Sequence, residues 1–170
     1  MTLAEGFAAL TVLVACLFDV KSSRIPNALT FSAVAIAMAF HVLAPSGGGV
    51  AFALAGFAIG LAVFFPLFAL GAMGAGDVKL MAAAGAWIGW KAVLFVALYA
   101  SAAGGILAVI VALRRRYLFE AFRNVRMLIT YWWVAGVKPF PALTLESKHT
   151  LRLPYAVAIG AGLAVTLWRS

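Results

Sequence analysis

An all-α, polytopic membrane protein is the fold class this sequence predicts, and three observations predict it. Apolar residues fill 66% of the 170 positions, charged residues 11%, and mean hydropathy is +1.09. Soluble domains carry about a quarter charged residues. The apolar residues gather into runs that fit about six crossings at ~20 residues each. The charges collect at the ends of those runs. One membrane-embedded domain over residues 1–170 accounts for the whole chain.

The first run, about Leu3 to Phe18, ends at Asp19. It carries Glu5 and no basic residue, so it lacks the basic start of a signal peptide and reads as a first helix. Cys16 reads as a small buried residue. Asp19 to Asn27 forms the first loop, and Pro26 is placed to open the next helix. The second run spans about Asn27 to Ala44, and an uncharged Pro45 to Gly49 turn follows. The third runs from about Val50 to Leu70, with Pro66 expected to kink it where Phe64, Phe65 and Phe68 cluster.

Gly74-Ala75-Gly76-Asp77-Val78-Lys79 joins two apolar runs. The fourth run, Val78 to about Trp90, is short for a span. It reads as one half of a broken pair with the fifth, Ala92 to Leu113, the break falling at Gly89 to Lys91. Trp87 and Trp90 are expected in the interfacial aromatic belt. Gly56/Gly60 and Gly85/Gly89 have the GxxxG spacing of close helix packing, a common pattern in Ala/Gly-rich runs. Residues 114–136 differ in kind. Arg116, Glu120, Arg123 and Thr130 share one helical face, and Leu118, Phe122, Val125 and Ile129 share the other. That pattern predicts a cytoplasmic amphipathic helix on the membrane surface before the last span. A loop bounded by Pro139, Pro141 and Pro154 leads to the sixth run, about Leu153 to Trp168, where Gly160 and Gly162 allow close packing.

The net charge of +8 belongs to the loops and suits a membrane face near anionic lipid, with no sign of nucleic-acid binding. With the N-terminus outside and six crossings, the inner side receives Lys21, Arg24, Lys79, Arg114, Arg115, Arg116, Arg123, Arg126, Lys138, Lys148 and Arg152. The outer side receives Lys91 and Arg169. Eleven of the 13 basic residues inside satisfies the positive-inside rule. The same count places the chain's two aspartates, Asp19 and Asp77, on the cytoplasmic side. One cysteine excludes an internal disulfide and a CxxC metal site. His41 and His149 show no metal-ligand spacing, so no metal or cofactor is expected.

Intramembrane carboxylates are functional candidates by default. Two brought together in a poorly hydrated place cannot easily both ionise, and they titrate as a unit. One then serves as general base on a water while the other donates to a scissile carbonyl oxygen. The same residues also suit a small proton- or ion-coupled transporter. A subunit without chemistry, in which the aspartates cap helices or pair with Lys21, Arg24 and Lys79, is open too. Lys79 reads as a snorkelling residue. Arg24 either meets an acidic substrate group or faces lipid phosphate.

Gly74-x-Gly76-Asp77-x-Lys79-Leu80 resembles the GxGD signature of membrane aspartyl proteases, in the form typical of type IV prepilin peptidases. Asp19, followed after four residues by Arg24-Ile25-Pro26-Asn27, resembles that family's first-aspartate motif. Leu153 to Gly160 is similar to its final Pro-aromatic-Gly helix, with Ala156 where Gly is usual. The resemblance covers essentially the whole chain. It implies a bacterial inner-membrane endopeptidase, its active site facing the cytoplasm, that removes the leader of prepilins or pseudopilins just before their hydrophobic helix. Asp19 and Asp77 would be the catalytic pair, with Gly74, Gly76, Lys79, Arg24, Pro26 and Asn27 as supporting residues. The family's larger members also N-methylate the new N-terminus through an insert with two CxxC pairs. This sequence has no such insert and looks like the short, peptidase-only form serving Flp/Tad-type pili.

Overall fold

The computed structural model describes residues 1–44, 48–114, 116, 118–136, 138 and 154–169. Among them all regular structure is helical. The elements are α1 (Leu3–Ser22), α2 (Asn27–Leu43), α3 (Gly49–Ala69), α4 (Ala75–Arg114), α5 (Leu118–Ala135) and α6 (Tyr155–Arg169). By length and composition α1, α3 and α4 are candidate membrane spans, and α2 and α6 are shorter apolar helices. The expected positions Pro45, Ser46, Gly47, Arg115, Pro139, Pro141, Lys148, His149, Arg152 and Leu153 lie outside the described residues.

Most of the chain's organisation turns on α4. Gly89, at φ 79° and ψ 174°, interrupts it with non-helical backbone, a conformation open to glycine and costly for other residues. A Cβ on Gly85 would meet Val93 Cγ2 at 3.2 Å, whereas eight residues of straight helix span ~12 Å. The second half of α4 therefore doubles back along the first, and the expected break between the fourth and fifth runs falls at Gly89. From Leu80 to Ala86 every residue is buried, the mark of a helix enclosed on all sides. α1, α2 and α3 pack around it, and α6 packs on α4 and α1.

Close approach explains where glycines fall. A Cβ on Gly56 would run into the Gly85 carbonyl, and one on Gly60 into the Met81 carbonyl. The two GxxxG pairs thus form one backbone-to-backbone contact between α3 and the first half of α4, the packing mode of small residues in lipid. Gly162 gives α6 the same access to Ala100 on the second half of α4.

Four sequence expectations need correction. α1 runs on through Asp19 to Ser22, closed by Ser23 in the left-handed region with its N–H on the Asp19 carbonyl at 2.7 Å. Asp19 is therefore the end of a helix, where a loop was expected. Trp87 is 2% exposed, so its ring faces the protein core where an interfacial position was expected. Its side of the helix faces the core, where its ring stacks on Phe7 at 5.2 Å and tilts against Phe40 at 5.8 Å. Cys16 is half-buried, with its Sγ–H donating to the Ala156 carbonyl at 3.0 Å. Arg116, with φ 54°, lies before α5 and outside its polar face.

Candidate active site

α1 ends and α4 begins at the same end of the bundle, and the first turn of α6 lies between them. Asp19, one turn from the end of α1, is buried. Its Oδ2 accepts the backbone N–H of Ala156 at 3.1 Å. Ala156 is the second residue of α6, whose first amides have no partner within the helix. A carboxylate there satisfies one of them and sits at the positive end of the helix dipole.

Asp77 lies in the first turn of α4, half-buried. It is held locally. Its N–H donates to the Gly74 carbonyl at 3.2 Å, and its carboxylate has the Gly74 backbone amide as partner. A Cβ on Gly74 would stand 3.2 Å from Asp77 Oδ2, so glycine there leaves room for the carboxylate to fold back. Asp19 and Asp77 are within electrostatic reach of one another.

The loop between α1 and α2 is fitted to the start of α4. A Cβ on Gly76 would lie 3.3 Å from Ile25 Cβ. Lys79 Nζ donates to Asn27 Oδ1 at 2.9 Å and sits 5.4 Å from the Phe31 ring centroid. Pro26 sets up α2 by accepting the N–H of Leu29 at 3.1 Å. The two sequence motifs, about fifty residues apart, thus meet through Ile25–Gly76 and Asn27–Lys79. Lys79 bonds Asn27, not an aspartate. Arg24 is exposed, and the structure brings it to no carboxylate among the described residues.

Tyr155 is the aromatic that opens the last run, and its sequence position alone assigns it no role. Its ring packs edge-on against Phe64 at 5.8 Å, its hydroxyl is 3.5 Å from the Ala100 carbonyl with Ser101 beside it, and it lies within electrostatic reach of Asp77. Tyr155 and Ala156 therefore touch the surroundings of both aspartates from consecutive positions. The proline-aromatic start of the last run was the signal that pointed there. Among the described residues no group of three His, Cys, Asp or Glu side chains converges to hold a metal ion.

A profile described as "Type IV leader peptidase family" matches residues 6–109, the stretch that holds both aspartates. The chain belongs to that family. Among its relatives is a "Prepilin leader peptidase/N-methyltransferase" of Aeromonas salmonicida (strain A449), 34% identical over 130 residues, 69% of this chain and 45% of that protein. The Aeromonas hydrophila protein of the same name is 33% identical over 130 residues, with the same coverage. One from Burkholderia pseudomallei (strain K96243) is 46% identical over 48 residues, 28% of this chain and 16% of its own. The matched region is thus less than half the length of these relatives. No solved structure matches the chain. For this leader-peptidase family member, the match and the geometry meet on the ends of α1 and α4.

Proposed function

We propose that this protein is a membrane aspartic endopeptidase that removes the leader of prepilins at the cytoplasmic face, with Asp19 and Asp77 as its catalytic pair. One observation carries the reading: two helix ends and the first turn of α6 gather the chain's two aspartates within electrostatic reach. Family membership supports the peptidase class, and the names of the relatives support prepilins as substrates.

In this mechanism the pair holds one proton. The ionised carboxylate draws a proton from water as the water attacks the scissile carbonyl, and the protonated one donates to the carbonyl oxygen. Collapse of the tetrahedral intermediate then needs a proton on the leaving nitrogen, returned by the carboxyl that took one from water, while the other carboxylate takes back a proton from the gem-diol as it becomes the product acid, restoring the one-proton pair. The Ala156 amide leaves Oδ1 of Asp19 free for this work while fixing the other oxygen. Tyr155, beside Asp77, orients that carboxyl. The substrate's apolar helix enters laterally, and Gly74 and Gly76 let the Asp77 turn adjust to it.

The α4 reversal supports the six-crossing topology. Counting its halves separately gives six crossings, with the N-terminus outside and both aspartates inside, and eleven basic residues on the inner side obey the positive-inside rule. α5 lies along the inner membrane surface. Its contacts with the bundle are few and chiefly with α4, and Phe119, Phe122 and Trp133 are exposed beside Arg123 and Arg126, a pattern suited to an interface.

The test is co-expression with a candidate prepilin and mass analysis of the pilin N-terminus, for wild type, Asp19→Asn and Asp77→Asn at matched membrane levels. Leader removal by wild type alone is expected. Removal that survives either Asn change sinks the paired mechanism.

A further inference from the structure

At the end of the bundle opposite the aspartates, the second half of α4 and the end of α6 form an open groove of about 460 Å³ lined by Lys91, Ala92, Phe95, Tyr99, Thr166 and Arg169. We propose that this groove is a binding site for the phosphate group of an anionic phospholipid, with one acyl chain lying along the apolar surface of Phe95 and Ala92.

Charge makes the first argument. Lys91 and Arg169 are the two basic residues that the positive-inside count leaves for the outer side, and the fold brings both to one groove. Neither forms an ion pair with a carboxylate among the described residues. Glu5, the acidic residue at this end, is occupied by the Thr2 N–H at 2.6 Å and the terminal amine at 4.0 Å. Two cations sharing an apolar-walled groove repel one another unless an anion joins them.

Arrangement makes the second. A long basic side chain at a membrane edge normally extends its head to water. Arg169 instead donates from Nη1 to the Tyr99 hydroxyl at 2.7 Å, and Tyr99 is two helical turns beyond Lys91. The phenol's own proton is then free to donate to a phosphate oxygen. Lys91 Nζ lies 5.4 Å from the Trp90 ring centroid, and Trp168, 90% exposed, stands beside Arg169. Tryptophan and basic residues together mark headgroup level. Phosphate above and apolar walls below match one lipid and fit a free anion poorly.

The experiment is native mass spectrometry of the full chain in mild detergent, titrated separately with phosphatidylglycerol, phosphatidylcholine and inorganic phosphate. Wild type is expected to retain one phosphatidylglycerol in preference to phosphatidylcholine. The Lys91→Gln/Arg169→Gln double variant should bind it at least about tenfold more weakly, the loss of one charge-assisted hydrogen bond or more. The charge-keeping Lys91→Arg/Arg169→Lys variant should retain it, and Tyr99→Phe should weaken it a few-fold, which keeps the test decisive if the double variant folds poorly. Equal retention by the Gln variant, equal retention of phosphatidylcholine, or inorganic phosphate held as tightly as the lipid would overturn the proposal. Pilin cleavage plays no part in this readout, so its failure and that of the peptidase reading are separate results.

Discussion

Asp19 and Asp77 are held in opposite ways. Asp19 is buried and fixed across the fold, its Oδ2 bonded to an amide 137 residues away. Asp77 is half-buried and fixed by its own turn, three residues back at Gly74. A long-range bond fails when helices separate. A local one survives helix movement and is disturbed by changes within the turn. In the proposed dyad Asp19 would be the anchor and Asp77 the adjustable partner.

The largest expected effect comes from the carboxylates. Asp19→Asn and Asp77→Asn should each lower leader removal by about 10²–10⁴, the range of general acid–base contributions. Asn caps helices about as well as Asp, so Asp19→Asn should keep its bond to Ala156 and shift thermal unfolding little. A large drop in melting temperature with Asn would make Asp19 a structural cap and break the comparison. Gly162→Leu comes next. It would force α6 off Ala100 and pull Ala156 from Asp19, so activity and melting temperature should fall together, the latter through overpacking of about 1–3 kcal/mol. Gly74→Ala should lower activity by up to ~10² through misplacement of the Asp77 carboxylate, yet leave the melting temperature close to wild type. If Gly74→Ala destabilises as much as Gly162→Leu, the local and long-range modes are not distinct. Tyr155→Phe should lower kcat several-fold with KM little changed, read from initial rates on a purified pilin. The smallest effect is expected for Arg24→Ala, exposed and away from any carboxylate among the described residues. A loss comparable to Asp77→Asn would give Arg24 a role that its position does not suggest.

Much of this was legible in the sequence because charge in an apolar chain is conspicuous. Asp19 and Asp77 stand out at the ends of runs, and Gly74 and Gly76 mark a turn before the second. The Gly89 break was legible for a similar reason, as a glycine beside an aromatic and a lysine. Contacts through backbone were not. Nothing in Ala156 advertises that its amide meets Asp19, since every residue but proline has the same amide. Trp87 misled because aromatic belts are read from composition, whereas its burial depends on Phe7 and Phe40 arriving from other helices. α1 outlasted its apolar run because Lys21 and Ser22 tolerate a helix end as well as a loop.

The reversal at Gly89 also sets a depth. From Ala75 to Ile88 the first half of α4 is 14 residues long, or ~21 Å at the rise of an α-helix, against a hydrocarbon core of ~30 Å. A segment that turns back at one surface ends well short of the other. Mismatch of this kind ordinarily thins the surrounding lipid. Here the short helix packs against α1, α2 and α3, so in the proposed topology the shortfall would open inside the protein as a recess. Peptide bonds are cut only where water can follow them, and such a recess would let water descend to Asp77 while the pilin helix stays in lipid.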